Sequence, residues 1–232
     1  MTRWPEVVIF DCDGVLVDSE TIALSRTRKA LGRVGLKLGE LEVRERFLGL
    51  SAQSMQEIAE RALGSPLPEG FQSDLARETL ADFERELKGV EGIGEAIAKL
   101  GARVCVASSS SLERIRASLR IVGYSDLFGP NVFSADDVAS GKPEPDIFLH
   151  AARRLGADPT NCLVVEDSAA GVTAARRANM TVFGFTGGAH AKGRDYSAGL
   201  VAAGAGLVFD DMRELPDLIE ATAARGPHGQ ER

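Results

Sequence analysis

The chain of 232 residues carries a net charge of −7, with 44% hydrophobic and 26% charged residues. This composition is typical of a globular protein with a sizeable core, built as one large domain or as one domain with a small insert. An acidic balance argues against a nucleic-acid partner, which requires a basic face, and no apolar run approaches the ~18 residues that span a bilayer.

The three cysteines, Cys12, Cys105 and Cys162, are too few and too scattered for a disulfide framework or a zinc site. Each lies in or beside an apolar run, so we expect them to be small buried residues. The N-terminus has no signal-peptide pattern. We therefore expect a cytoplasmic protein without a membrane or nucleic-acid partner, as a monomer or weak dimer.

Five apolar runs without alternating polar residues predict strands of a parallel sheet that is covered on both faces. They lie at residues 7–10, 104–107, 162–165, 181–185 and 206–209. From about residue 90 onward, segments with helical spacing alternate with these runs. This alternation predicts an α/β fold with an open parallel sheet.

The segment after the first strand differs, because it contains helical patterns and no strong strand pattern. The helical stretches lie at residues 22–34, 41–47, 55–63 and 74–87. We interpret residues 18–87 as a helical insertion, with residues 1–17 and 88–232 forming the core. The polar tail, residues 225–232, is expected to be frayed.

Acidic residues and one lysine follow the predicted strands. Asp11 and Asp13 come after the first strand, Glu166 and Asp167 follow the strand at 162–165, and Lys142 lies in a Gly-Lys-Pro loop. Ligands of open parallel sheets bind at the carboxyl ends of the strands, so topology can gather these residues. Four carboxylates would repel one another there unless a hard divalent cation such as Mg²⁺ neutralised them.

A phosphate group would suit the same crevice. Lys142 supplies a positive charge that a transferring phosphoryl group needs. Ser108 and Ser109 precede a helix with apolar spacing over residues 112–122, where hydroxyls and free backbone N–H groups favour phosphate. Ser110 and Glu113 predict a capping box at the start of this helix.

Asp11 and Asp13 are two residues apart in an extended segment, so their side chains point the same way and that of Cys12 points away. One carboxylate can be a nucleophile that forms an aspartyl-phosphate. The other can protonate the leaving oxygen and later activate water. Each motif alone has a simpler interpretation as a solvated turn or a helix cap, but their joint order after separate strands favours a catalytic site.

The stretches FDCDGVLVDSE, VASSSS, SGKPEPDIF and VVEDSAAGVTAA resemble the four motifs of the haloacid dehalogenase superfamily. They are similar to the branch that holds β-phosphoglucomutase, phosphoglycolate phosphatase and small sugar-phosphate phosphatases. The resemblance extends from about residue 6 to residue 186. It implies a Rossmann-like core with an inserted helical cap, which agrees with the insertion at residues 18–87.

The resemblance also implies roles for individual residues. Asp11 would be the nucleophile and Asp13 the acid and base. Ser108 and Lys142 would hold the phosphoryl group. The ligands of Mg²⁺ would be Asp11, the Asp13 carbonyl, Glu166 and Asp167.

Several activities of the superfamily fit this chain less well. Its dehalogenases lack the second aspartate, whereas Asp13 is present, and P-type ATPases have lysine where Cys12 stands. β-Phosphoglucomutase has a histidine at the place of Ala23, and a lysine and an arginine at the places of Leu48 and Ala52. These departures favour a phosphatase over a phosphosugar mutase, which remains the alternative.

Substrate recognition is less well defined by the sequence. Arg46 is the candidate in the insertion for binding a substrate anion or hydroxyl, although a solvated helix charge is the simpler interpretation. His190 is expected to be a loop residue rather than a proton carrier. With only 6% aromatic residues there is no stacking platform for a nucleobase, which favours a sugar or sugar-acid phosphate. A non-catalytic phosphate-binding protein is disfavoured because Asp11, Asp13 and Lys142 are all present.

Overall fold

The computed structural model describes residues 4–191 and 196–225. Six strands form one parallel sheet in the order β3-β2-β1-β4-β5-β6. The strands are β1 Val7–Phe10, β2 Arg103–Ser108, β3 Val132–Ser134, β4 Cys162–Glu166, β5 Thr181–Phe185 and β6 Leu207–Phe209. This topology confirms the predicted α/β fold. The tail expected to be frayed lies outside the described residues beyond Arg225.

Strand β1 is central because it pairs with β2 on one side and β4 on the other. All four of its residues are buried. Val8 and Phe10 belong to one apolar cluster and Val7 and Ile9 to another, since alternate side chains of a strand point to opposite faces. The uninterrupted apolar run therefore arises from a strand that is covered on both faces.

Seven helices flank the sheet within the described part of the core. They are α5 Ile93–Lys99, α6 Leu112–Ile121, α7 Ser125–Phe128, α8 Asp146–Leu155, α9 Ala169–Arg177, α10 Ser197–Ala203 and α11 Leu215–Arg225. None of the described helices is long and apolar enough to cross a membrane. The three cysteines are free and buried, as predicted.

Two local features differ from the sequence-based expectation. Strand β3 was not predicted, because its three residues are too short to register as an apolar run. The predicted capping box of Ser110 and Glu113 is wrong by one residue. The N-cap of α6 is Ser111, whose hydroxyl accepts a hydrogen bond from the Arg114 backbone N–H at 3.3 Å.

Five helices lie between β1 and β2, and we call the first four of them, which precede α5, the helical insert. They are α1 Glu20–Arg33, α2 Glu40–Phe47, α3 Ala52–Leu63 and α4 Phe71–Glu86. The insert packs around an apolar cluster of its own, which includes Leu31, Phe47 and Ala59. Arg26 of α1 also pairs with Asp82 of α4 at 2.6 Å.

The two chain segments that connect the insert to the core lie side by side. The Asp18 N–H donates to the Lys88 carbonyl at 2.9 Å, and the Val90 N–H donates to the Leu16 carbonyl at the same distance. The first of these segments follows the carboxyl end of β1 in the chain, and the second, which follows α4, is hydrogen-bonded to it. The insert therefore stands over the edge of the sheet where the predicted site residues lie.

The separate cluster of the insert leads to a stability prediction. Leu31 is fully buried in it, so Leu31→Ala should lower the free energy of unfolding by ~2–5 kcal/mol through lost burial and an unfilled cavity. Leu41→Ala is the control, because Leu41 is 53% exposed and its truncation should cost less than ~0.5 kcal/mol. Urea unfolding of both variants tests this, and similar losses would contradict it.

Candidate active site

A cavity of about 660 Å³ lies between the carboxyl edge of the sheet and the helical insert. The core lines it with charged groups that include Asp11, Asp13, Lys142, Glu166 and Asp167. The insert lines it with apolar and uncharged polar side chains, apart from Glu20 at the start of α1. The cavity thus has a charged floor and a largely neutral roof.

Asp11 and Asp13 leave β1 on the side of the cavity, and both are buried. The Asp11 backbone N–H donates to the Val165 carbonyl at 3.0 Å, which extends the β1–β4 ladder by one residue. Cys12 lies in the apolar cluster with Phe10. The two carboxylates therefore share one side of the segment and the thiol faces the other, as the alternation predicts.

Lys142 is held between two carboxylates. Its ammonium donates to Asp11 Oδ1 at 2.6 Å and to Glu166 Oε1 at 2.5 Å. A third, longer bond reaches the Ala107 carbonyl at 3.3 Å. Burial alone would lower the pKa of Lys142, but the charges of Asp11 and Glu166 outweigh it and raise the pKa. The ammonium is therefore a fixed positive charge.

The remaining charges of the floor do not balance. Burial raises the pKa of Asp11 well above its usual range, and the charges of Glu166 and Asp167 add to this although Lys142 opposes it. The pKa of Asp167 is also raised, by burial and then by Glu166. Four carboxylates thus face the cations Lys142 and Arg114, and the arrangement favours an additional positive charge.

Asp13 has a different environment. Ser19 donates to its Oδ1 at 2.5 Å, Arg114 donates to the same oxygen at 2.7 Å, and Ser110 donates to Oδ2 at 2.6 Å. Burial would raise the pKa of Asp13, but Arg114 and the two hydroxyls outweigh it and lower the pKa. Asp13 is therefore ionised and held in one orientation.

The predicted phosphate-binding serines lie in the turn between β2 and α6. Ser108 ends β2, and its hydroxyl accepts a hydrogen bond from the Ser110 backbone N–H at 3.2 Å. Ser108 and Ser109 both line the cavity. They precede the helix by three or more residues, because α6 begins at Leu112. The turn places hydroxyls beside the charged floor.

Glu166 ends β4 and Asp167 follows it, and each packs tightly against a glycine. A Cβ atom at Gly171 would lie 1.8 Å from Glu166 Oε1, and one at Gly14 would lie 2.0 Å from Asp167 Oδ2. Gly14 also has a φ of +82°, which favours glycine. These two positions require glycine because any side chain would displace a carboxylate from the floor.

The arrangement of donors fits a hard cation. Carboxylate and carbonyl oxygens are the ligands that Mg²⁺ prefers, and the floor has an excess of negative charge. No three acidic, histidine or cysteine side chains within residues 4–191 and 196–225 form a closed metal-binding cluster. The Lys142 ammonium lies between two of the predicted ligands, Asp11 and Glu166.

Arg46 is not brought to the cavity. Its guanidinium is half exposed and pairs with Glu42 one turn earlier in α2, and it is absent from the described lining. The simpler interpretation, a solvated helix charge, therefore describes it. The arginine of α2 that reaches the core is Arg44, which donates from Nε to the Tyr196 hydroxyl at 2.9 Å.

Three residues near the floor were missed or misjudged in the sequence. Ser19 and Arg114 bind Asp13, and no spacing rule marks either of them. His190 follows β5 as expected of a loop residue, but its ring is buried and Nε2 lies 3.0 Å from Asp167 Oδ2. Burial lowers the pKa of His190, so the imidazole is neutral at neutral pH.

Glu20 yields a prediction about pH. Burial, followed by the charges of Asp13 and Asp167, raises its pKa from 4.5 to about 8. The folded state then holds a proton that the unfolded state releases, so this group makes wild-type stability fall as pH rises from 4.5 to about 8. Glu20→Gln removes the effect. Its stability relative to wild type should therefore increase through that window, as measured by urea unfolding at pH 5 and pH 8.

The control is Glu86→Gln, at the exposed C-terminal end of α4. It removes one carboxylate from the surface of the insert. A stability difference between Glu20→Gln and wild type that stays constant across the window would show that Glu20 is not protonated in the folded protein.

Comparisons with known proteins agree with this geometry. The chain is 32% identical over 217 residues to 6-phosphogluconate phosphatase of Escherichia coli, covering 93% of this chain and 95% of that protein. It is 32% identical over 183 residues to a phosphorylated carbohydrates phosphatase of Thermotoga maritima, covering 75% and 82%. A haloacid dehalogenase-like protein from Agrobacterium tumefaciens, whose function is described as unknown, superposes with a TM-score of 0.80 at 37% identity, covering 94% and 99%.

The family model that matches spans residues 5–179. This range begins just before β1 and includes the helical insert, the serine turn, Lys142 and the pair Glu166–Asp167. It therefore contains all four motifs on which the sequence resemblance depended. The chain belongs to the haloacid dehalogenase-like hydrolases.

Proposed function

We propose that this hydrolase is a Mg²⁺-dependent phosphatase that cleaves a small phosphate ester through an aspartyl-phosphate intermediate. The observation that carries the proposal is the pairing of Asp11 with Lys142 at 2.6 Å, beside an Asp13 held by three donors. This arrangement supports the proposed roles of Asp11 as nucleophile, Lys142 as phosphate-binding cation and Asp13 as acid and base.

In the first half of the reaction, an Asp11 oxygen attacks phosphorus while the bond from phosphorus to the ester oxygen breaks. Asp13 gives its proton to that oxygen, and the alcohol leaves. Asp13 is ionised in the resting site, so it must first take up a proton. The arriving phosphate dianion favours this because like charges disfavour the ionised form.

In the second half, Asp13 removes a proton from water, and the water oxygen attacks the phosphorus of the aspartyl-phosphate. The bond to Asp11 breaks, and inorganic phosphate is released. The lowered pKa of Asp13 in the resting site suits its return to the ionised state after product release. The same carboxylate thus serves as acid and then as base.

The other residues of the floor would position the phosphoryl group and the metal ion. Ser108, Ser109 and Lys142 would hold the phosphoryl oxygens. Mg²⁺, held by Asp11, the Asp13 carbonyl, Glu166 and Asp167, would reduce the repulsion between the nucleophile and the phosphate dianion. The excess of carboxylates over cations at the floor supports this ligand set.

The substrate we propose is a phosphorylated sugar or sugar acid. The insert faces the cavity with neutral polar groups such as Thr27, Gln53 and Gln72, which suit hydroxyls rather than a second strong charge. The names of the two relatives, for 6-phosphogluconate and for phosphorylated carbohydrates, point to the same class. We propose that the helical insert acts as the cap that selects the leaving group.

A phosphosugar mutase fits less well. The resemblance implies that a mutase holds the sugar phosphate with basic residues of its cap, and among the described lining residues the insert supplies no cationic side chain. Ala23 and Ala52, which stand where the sequence of the mutase has histidine and arginine, both line the cavity. A binding protein without catalysis is disfavoured because the predicted nucleophile, acid and cation are all present.

The proposal predicts Mg²⁺-dependent phosphate release from a few members of a panel of phosphate esters, including 6-phosphogluconate and hexose phosphates. A chelator should abolish this phosphate release.

Asp11→Asn should reduce turnover to background while thermal unfolding stays close to wild type, and exposed Asp126→Asn is the control. The panel includes β-glucose 1-phosphate with a readout for glucose 6-phosphate. Isomerisation without phosphate release would identify a mutase instead.

The acid role of Asp13 predicts a dependence on the leaving group. Asp13→Asn should lower kcat/KM for alkyl phosphates by ~10²–10⁴-fold. The loss should be much smaller for p-nitrophenyl phosphate, whose leaving group needs no proton. Because kcat/KM reports the steps up to formation of the phospho-enzyme, equal losses for both substrates would count against this role.

A further inference from the structure

His190 is a buried imidazole that the proposed reaction does not use. Its Nε2 lies 3.0 Å from Asp167 Oδ2. Its Nδ1 is buried and has no hydrogen-bond partner among residues 4–191 and 196–225. The proton of the neutral ring is therefore assigned to Nε2, where it can be donated to the carboxylate.

The imidazole limits where Asp167 can go. The Gly14 main chain packs closely against one side of the Asp167 carboxylate. A Cβ atom at Gly14 would lie 2.0 Å from Asp167 Oδ2 and 2.8 Å from His190 Cε1. The hydrogen bond to His190 fixes the same oxygen. A histidine that binds a metal-ligating carboxylate in this way orients the ligand and adjusts its basicity.

Arg44 in the helical insert and Asp18 in the segment before it both form hydrogen bonds to the loop that carries His190. Arg44 of α2 donates to the His190 carbonyl and, from Nε, to the Tyr196 hydroxyl at 2.9 Å. Its guanidinium also lies over the Tyr196 ring at 5.2 Å, and that ring meets the His190 ring edge to face at 5.6 Å. Asp18, just before α1, accepts from the Ala189 N–H at 2.7 Å.

We propose that His190 is a positioning residue for the metal ligand Asp167, and that Arg44 makes its position depend on the placement of the helical insert. The contacts form an unbroken chain from α2 through the His190 main chain and ring to the carboxylate. An insert that moves away would release the His190 carbonyl and loosen Asp167. Metal binding and closure of the insert should then favour each other, since such coupling is reciprocal. This inference rests on the proposed role of Asp167 as a metal ligand.

The test is direct titration of the whole chain with Mn²⁺, followed by electron paramagnetic resonance of the free ion, without any substrate. His190→Ala removes the donor and should weaken Mn²⁺ affinity by about tenfold. His190→Gln can place an amide N–H near the position of Nε2 and should restore part of the affinity. Unchanged affinity in His190→Ala would overturn the proposal.

Arg44→Gln tests the link to the insert and should also weaken Mn²⁺ affinity. Arg46→Gln is the matched control, because Arg46 lies two residues along the same helix and pairs only with Glu42 among the described residues. His150→Ala, which removes a half-buried histidine of α8 whose ring meets that of Phe133 edge to face, is the control for loss of a histidine. Both controls should bind Mn²⁺ like wild type. An Arg44→Gln variant that also does so would overturn the link.

The double variant Arg44→Gln/His190→Ala separates one chain of contacts from two independent effects. If Arg44 acts through His190, the double variant should bind Mn²⁺ no more weakly than His190→Ala alone, whereas additive losses would overturn the link. In the hydrolase assay, His190→Ala and Arg44→Gln should each raise the Mg²⁺ concentration that gives the half-maximal rate.

Asp167→Asn distinguishes this proposal from the proposed function. It should weaken Mn²⁺ binding more than any variant of His190. Unchanged binding in Asp167→Asn would overturn the metal assignment itself, and with it the positioning role. Unchanged binding in His190→Ala together with a loss in Asp167→Asn would overturn the positioning role alone.

Discussion

The buried ammonium of Lys142, bonded to Asp11 and Glu166, is the interaction on which the site depends. The Lys142 side chain is 5% exposed and that of Glu166 1% exposed, and charges buried this deeply are costly unless they are paired with opposite charges. The pairing requires β1 to lie directly beside β4, and the loop before α8 to reach over both. The order β2-β1-β4 at the centre of the sheet satisfies this requirement. The chemistry of the site is therefore a consequence of strand order.

The pKa values of Asp11 and Asp13, which are two residues apart, are shifted in opposite directions. The pKa of Asp11 is raised because burial and three neighbouring carboxylates outweigh Lys142. The pKa of Asp13 is lowered because Arg114, Ser110 and Ser19 outweigh its burial. The proposed roles require an ionised Asp11 and a protonated Asp13, so an added positive charge at the floor and the arriving phosphate must reverse both tendencies. In this site the separation between the two pKa values depends on α6, which supplies Arg114, and on the turn before it, which supplies Ser110.

The core and the helical insert divide the work of the site. The core supplies the charged floor, whose residues are fixed by strand ends and by close packing against Gly14 and Gly171. The insert supplies a mainly neutral roof and has an apolar cluster of its own. A change in the roof can therefore alter which leaving group fits without disturbing the carboxylates. Arg44 and Glu20 are exceptions, because Arg44 connects the insert to the loop of His190 and Glu20 interacts with the charges of Asp13 and Asp167.

The sequence by itself determined the parallel sheet, the place of the insert, and the gathering of Asp11, Asp13, Lys142, Glu166 and Asp167 at one edge. These follow from apolar runs and from the rule that strand ends meet, which are local patterns. It missed β3, which is too short to form a pattern. It proposed Arg46 as the substrate-binding arginine of α2, whereas Arg46 is absent from the described lining of the cavity and Arg44 is the arginine of this helix that contacts the core. Side chains two residues apart on a helix point about 200° apart, so only the packing of α2 decides which one reaches the core. The partners Ser19, Arg114 and His190 were likewise decided by tertiary structure, because each contact joins segments whose separation in space no local spacing encodes.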